Sequence, residues 1–150
     1  RDRVGDRRDA LTVATIRPLA LGDLEEVRRL WAATEGLGAG PGDSPEALGR
    51  FLLRNPGLSL VAEGGETIVG VVLCGQDGRR GFIYHLAVAR NFRRRGLAAE
   101  LVQRCLSGLK AEGIERCLIV VVDGNEAALR FWRRVGYRLR PDLVPLSIDL

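Results

Sequence analysis

The sequence predicts an α/β architecture: a mixed central sheet of about six to seven strands, antiparallel in its first half and extended by one parallel crossover, flanked by about four helices. Three observations predict it. Turn signals separate apolar runs between Leu58 and Ala89, as consecutive hairpins require. Apolar residues recur at helical spacing in several segments. A strand, a helix and a further strand then follow in order from Phe82 to Val122, the pattern of a parallel crossover.

The 150 residues suffice for one domain with a real core, and 46% hydrophobic with 28% charged residues is a globular composition. Residues 12–150 are read as that domain. Residues 1–11 are read as a disordered or tag-like extension, with no secretory signal behind Arg1–Asp9. No apolar run reaches a membrane span, so no membrane partner is expected. The net charge of +4 rests almost wholly on arginine, because Lys110 is the only lysine. That excess is too small to argue for nucleic acid, and it suits a locally basic pocket for a polyphosphate. Cys74, Cys105 and Cys117 show no C-x-x-C spacing and read as buried thiols of a reducing, cytoplasmic compartment. With His85 as the only histidine, no metal site is expected.

Each element has a local cause. Thr12–Arg17 alternates weakly as an edge strand that Pro18 ends. Leu21, Leu24, Val27, Leu30 and Trp31 share one helical face, giving a first helix to about Thr34. Gly36–Pro45 is rich in glycine and proline and forms a loop. Ser44 caps, and Pro45 opens, a second helix to Arg54, which Asn55-Pro56-Gly57 stops. Leu58–Glu63 and Thr67–Gly75 form a hairpin over Gly64-Gly65, whose positive φ such a turn needs. Asp77-Gly78 turns into a strand from Gly81 to Ala89. Leu97–Ala111 is a helix expected to bury Leu97, Leu101, Val102, Cys105, Leu106 and Leu109. Ile114–Val122 reads as a strand covered on both faces. Asn125–Val135 is the last helix, and Gly136 ends it. Tyr137–Leu139 and Val144–Ile148 read as two closing strands.

The stretch Asn91-Phe92-Arg93-Arg94-Arg95-Gly96-Leu97-Ala98 lies at the junction of that strand and helix. The first turn of a helix leaves backbone N–H groups without intrahelical partners, and the dipole adds positive potential there. Gly96 lets an anion approach the backbone, and Arg93, Arg94 and Arg95 add permanent charge. The stretch is a candidate phosphate seat.

Leu86-Ala87-Val88, followed by Arg93-x-x-Gly96-x-Ala98, resembles the acetyl-CoA signature R/Q-x-x-G-x-G/A of the GCN5-related N-acetyltransferase (GNAT) family. A second segment, Asn125-x-x-Ala128-x-x-Phe131-Trp132-x-x-x-Gly136-Tyr137, resembles the same family in the expected order and separation. The resemblance covers about residues 13 to 150 and is nearest to the ribosomal-protein N-terminal acetyltransferase and YpeA-like branch.

The resemblance implies a GNAT-like fold and acetyl-CoA as co-substrate. It implies that backbone N–H groups from Arg94, Arg95, Gly96, Leu97 and Ala98 grip the pyrophosphate, with Arg93 beside them. Leu86 and Val88 would pair with the pantetheine arm as an added strand does, with an N–H of the Leu86–Ala87–Val88 segment polarising the acetyl carbonyl. Asn125 would reach the pantetheine or simply cap its helix. The acceptor is an amine, on a protein N-terminus or a small molecule, and the Gly36–Pro45 link borders its pocket. A homodimer is among the assemblies such families form. A CoA-binding module with little or no catalysis, acting as a sensor or a partner-regulated subunit, is the alternative.

The acid–base groups depart from the family. Trp132 stands where many members carry a tyrosine acid, and Val120 stands where a glutamate base is found in the nearest branch. The remaining catalytic candidates are Tyr84, Trp132 and Tyr137, with Glu63 as a further base. His85 has chemistry suited to a base. Strict alternation points it away from the face used by Tyr84 unless a bulge intervenes, and it is read as structural. An α-amine of pKa ~7.8 is roughly a third neutral near pH 7.5, whereas a lysine of ~10.4 is only ~0.1% neutral. The difference is worth about 3 kcal/mol of barrier, which favours a weakly basic acceptor.

Overall fold

The computed structural model describes residues 13–150. The expected extension 1–11, with Thr12, lies outside the described residues. The chain divides into two compact units, one ending at Val120 and the other Val121–Leu150.

The first unit is built on a five-stranded sheet in the order β1 (Thr15–Pro18), β2 (Leu60–Gly64), β3 (Thr67–Gln76), β4 (Gly81–Val88) and β5 (Cys117–Leu118). The first four strands are antiparallel, and β4 with β5 is the parallel pair. Turn chemistry sets the register. Gly65 takes φ 68° between β2 and β3. Between β3 and β4, Asp77 Oδ1 accepts from the N–H groups of Arg79 and Arg80 at 2.8 Å, with Gly78 at φ 93°.

Helices cover both faces. After a 3₁₀ turn at Leu21–Asp23, α1 (Leu24–Ala32) and α2 (Pro45–Arg54) bury Leu24, Val27, Trp31 and Leu48 against Val61, Val71, Leu73 and Ala87. Ser44 caps α2 as its sequence requires, accepting from the Ala47 N–H at 3.1 Å. The other face receives α3 (Leu97–Ala111). Small residues let it come close, since a Cβ on Gly70 would stand 3.2 Å from Leu101 Cδ1. Cys105 and Cys74 are buried on this side. The Cys74 thiol is pushed upward in pKa by its hydrogen bond with Cys105 and by burial, so it stays protonated.

Two polar side chains in the interior are satisfied by β3. Ser59 Oγ accepts from the Cys74 N–H at 3.0 Å, and Asn55 Oδ1 accepts from the Gln76 N–H at 2.9 Å. At the sheet edge Arg17 forms a fork on Asp23, at 2.7 and 2.8 Å, and also pairs with Glu63. Asp23 is held below the ordinary carboxylate range, first by that hydrogen bond from Arg17.

The sheet is smaller than expected. Of the predicted strand Ile114–Val122 only Cys117 and Leu118 pair, with Gly81 and Phe82. None of these nine residues is buried, and Val120 is 78% exposed. The ladder is short because β4 is bulged beyond Tyr84: Leu73 pairs with Tyr84 but Val71 with Ala87, so one extra residue is accommodated in β4. The expected closing strands Tyr137–Leu139 and Val144–Ile148 are absent as well. Val144, Leu146 and Ile148 keep a strand's alternation but are exposed, and alternation without a hydrogen-bonding neighbour makes no sheet.

The second unit holds α4 (Glu126–Arg134). Asn125 caps it by accepting from the Ala128 N–H at 3.1 Å, and Gly136 follows its end at φ 109°.

Candidate active site

The bulge governs the site. His85 carries it, at φ 49°, a left-handed backbone that bulky side chains rarely adopt. The ring of Trp31 lies 5.0 Å from the His85 ring, and its Nε1–H donates to the His85 carbonyl at 3.0 Å. His85 therefore faces the α1–α2 layer. Tyr84 faces that layer too, edge-on to Phe51 at 6.2 Å. The expectation that His85 and Tyr84 use opposite faces is thus corrected, because the bulge interrupts the alternation on which it rested.

Beyond the bulge, Leu86, Ala87 and Val88 complete β4 against β3. The Ala89 N–H donates to the Val69 carbonyl at 2.8 Å. By alternation the polar groups of Leu86 and Val88 point the other way, toward an edge that β5 leaves after Phe82. One of them is engaged: Arg93 Nε donates to the Val88 carbonyl at 2.8 Å. Arg93 therefore braces the strand end rather than presenting its whole fork outward.

The turn that follows is anchored by Phe92, which is 6% exposed and packs over Gly64. The Arg95 guanidinium lies 4.9 Å from the Phe92 ring centroid, a cation–π distance. Arg94 at φ 62° and Gly96 at φ 79° turn the chain into α3. Gly96 occupies the N-cap position, where no side chain caps the helix, and a Cβ there would meet nothing within 4 Å. The N–H groups opening α3 at Leu97 and Ala98 thus lie beside an open, arginine-flanked surface. This corner suits a phosphate.

Beside α1 lies a cavity of about 640 Å³ lined by Trp31, Asp43, His85, Glu25, Arg28 and neighbours on α1 and the α1–α2 connection. Asp43 Oδ1 stands 2.9 Å from His85 Nε2. Sequence reasoning set His85 aside and missed Asp43, which carries no signal beyond its place in a glycine-rich loop. Tyr84 is 44% exposed, and burial pushes its phenol upward in pKa, so the hydroxyl is neutral. Glu63 is committed to Arg17.

The other candidates lie in the Val121–Leu150 unit. Trp132 packs edge-on to Phe131 and to Tyr137, each at 5.1 Å, and the Tyr137 N–H donates to the Trp132 carbonyl at 2.9 Å. Among the described residues, no group of three or more His, Cys, Asp or Glu side chains could hold a metal ion, and no helix is long and apolar enough to cross a membrane.

The profile of the acetyltransferase (GNAT) family matches residues 24–137. The chain belongs to that family. As a GNAT protein it is an acetyl-CoA-dependent N-acetyltransferase. An acetyltransferase of Photorhabdus laumondii is 36% identical over 126 residues, 83% of this GNAT chain and 87% of its own length. Ard1 from Thermoplasma volcanium shares the fold with a TM-score of 0.74 at 23% identity, covering 85% of this chain and 84% of its own. The NatC complex, solved bound to Gag peptide and CoA, matches with a TM-score of 0.72 at 23% identity, over 85% and 86% of the two chains.

Proposed function

We propose that this chain moves the acetyl group of acetyl-CoA to an amine by direct attack within a ternary complex. The open outer edge of β4 carries the reading. The bulge at His85 and the two-residue ladder with β5 leave Leu86 to Val88 able to pair with an extended ligand, beside a helix start that suits its phosphates. Leu86 and Val88 hold the pantetheine arm, and N–H groups of Arg94, Arg95, Gly96, Leu97 and Ala98 hold the pyrophosphate. A backbone N–H of the Leu86–Val88 segment polarises the acetyl carbonyl. Acetyl-CoA supplies the activated acyl group, and the protein's task is to orient it and manage protons.

The acceptor enters the Asp43–His85 cavity from the α1–α2 side. A protein α-amine or a weakly basic small amine fits best, since lysine would need about 3 kcal/mol more for deprotonation. Tyr84 relays a proton through water as a neutral phenol. Trp132 on α4 and Tyr137 just beyond its end, packed edge to face, are further catalytic candidates, and Asn125 serves foremost as the helix cap. The chain is placed nearest to the ribosomal-protein and YpeA-like branch, and its three cysteines without C-x-x-C spacing favour the cytoplasm as its compartment.

Calorimetry with acetyl-CoA, followed by a thiol-release assay over an amine panel, tests the reading. Binding below millimolar with CoA release is expected, and Tyr84→Phe and Trp132→Phe report whether either residue assists. No binding at millimolar acetyl-CoA overturns it. Tight binding without thiol release would favour a CoA-binding module, the reading that Val120 and the engaged Glu63 keep open.

A further inference from the structure

Strain, contacts and position single out one side chain. His85 holds a positive φ that costs a non-glycine residue roughly 1–3 kcal/mol, and such strain persists where the surroundings over-determine it. Here they do. Trp31 pins the His85 carbonyl at 3.0 Å and packs on its ring at 5.0 Å. Asp43 Oδ1 meets Nε2 at 2.9 Å, while Asp43 Oδ2 accepts from the Gly40 N–H at 2.8 Å, so the carboxylate is itself held. The imidazole lines the 640 Å³ cavity, one residue before the segment proposed to carry the thioester. A ring meant only to fill a core would have no use for a carboxylate partner at the wall of an open cavity.

We infer that His85 takes the proton from the acceptor's ammonium group, and that Asp43 is the positioning residue that fixes the ring. The inference rests on the acetyl-transfer reading above and names the proton acceptor that Val120 does not supply. With Asp43 accepting from Nε2–H, the lone pair lies on Nδ1. The ammonium gives one proton to Nδ1, which later releases it to solvent. The neutral nitrogen then forms the new C–N bond as the C–S bond breaks, and its second proton ends on the departing sulfur. One proton is released per turnover, and the charges balance.

The test compares wild type with His85→Gln, which keeps an N–H for Asp43 but has no basic nitrogen, and with Asp43→Asn. Acceptors are a dipeptide α-amine panel and O-methylhydroxylamine, an amine so weakly basic that it is already neutral at the assay pH. Glu25, Arg28, Arg29 and Asp43 border the same cavity, and Tyr84 adjoins His85, so single replacements of each accompany the pH profile. At pH 6, where only ~2% of an α-amine of pKa ~7.8 is neutral, kcat with α-amines is expected to fall by ~50-fold in His85→Gln, and the loss should shrink to about threefold near pH 7.5. Acetyl-CoA affinity should stay within about twofold, and O-methylhydroxylamine should react at close to its wild-type rate. Asp43→Asn should lose about tenfold in kcat. Because the chain has one histidine, its ring signals are unambiguous by NMR and should shift when a dipeptide amine is added without acetyl-CoA. An unchanged kcat and profile in His85→Gln overturns the inference. So does equal slowing with O-methylhydroxylamine and α-amines, or a ring signal indifferent to the amine. Should His85→Gln not fold, the ring signals and Asp43→Asn decide. A wild type that binds acetyl-CoA but acetylates nothing defeats the underlying acetyl-transfer reading instead, and this inference falls with it.

Discussion

Arg93 Nε and the Val88 carbonyl are joined at 2.8 Å, five residues apart, across the turn that links β4 to α3. The contact ties the end of the proposed pantetheine-binding strand to the start of the proposed phosphate turn. Removing it should loosen both. Arg93→Ala is expected to raise KM for acetyl-CoA by about tenfold, ~1.4 kcal/mol, with a smaller effect on kcat. Arg93→Lys should recover little, because an ammonium lacks the planar fork. Steady-state kinetics at saturating acceptor check this, and an unchanged KM would remove Arg93 from the corner's structure.

Gly96 makes a separate prediction. Its φ of 79° is left-handed, and a Cβ there would meet no protein atom within 4 Å. Gly96→Ala should therefore cost stability only through backbone strain, about 1–2 kcal/mol by thermal or denaturant unfolding. The open space above Gly96 is where the phosphate is placed, so affinity should fall by more than the loss of stability explains. Calorimetry on the folded variant separates the two. Intact affinity would mean that the anion lies elsewhere.

What could be read from residue order was local. Ser44-Pro45 and Asn125 mark helix starts, Gly64-Gly65 marks the hairpin, and Leu97–Ala111 declares its buried face; each depends on neighbours a few residues away. The turn at Arg94–Gly96 that opens α3 was legible for the same reason. The contacts around His85 were not. Trp31 and His85 are 54 residues apart, Asp43 and His85 are 42 apart, and nothing local announces either contact. The bulge is a single extra residue, carried by a histidine rather than a glycine, so no turn residue betrays it. Val144, Leu146 and Ile148 show the converse error. Their alternation is real, but whether a strand forms depends on a pairing partner that periodicity cannot identify.

The Arg17–Asp23 fork gives the pH-dependent prediction. Arg17 lowers the Asp23 carboxyl below its unfolded value, first through their hydrogen bond. A depressed carboxyl contributes stability that is present above the unfolded pKa and is lost as pH falls through the folded one. Asp23→Asn should thus be less stable than wild type by about 1–2 kcal/mol at pH 7, a figure discounted because Arg17 is partly exposed. The gap should narrow steadily below about pH 4 as wild type protonates. Urea unfolding at pH 7, 4 and 3 checks it, and a gap that stays constant with pH would show that the pair does not carry the difference.

Gly64 offers a test of the corner from outside it. This glycine ends β2, where a Cβ would stand 2.5 Å from Phe92 Cζ and 2.9 Å from Phe92 Cε1. Phe92 is 6% exposed, and its ring lies beneath the Arg95 guanidinium. Gly64→Ala must therefore push the ring, and the ring is the buried anchor of the turn carrying Arg93 to Gly96. Overpacking of this kind typically costs about 1–3 kcal/mol. The added methyl is far in sequence from any proposed ligand contact, yet KM for acetyl-CoA should rise several-fold while the His85-dependent pH profile keeps its shape. Phe92→Leu placed on the same background frees space and should restore part of both stability and affinity, a non-additivity that double-mutant analysis reads directly. Strict additivity of the two changes would show that Gly64 and the phosphate turn are not mechanically linked through Phe92.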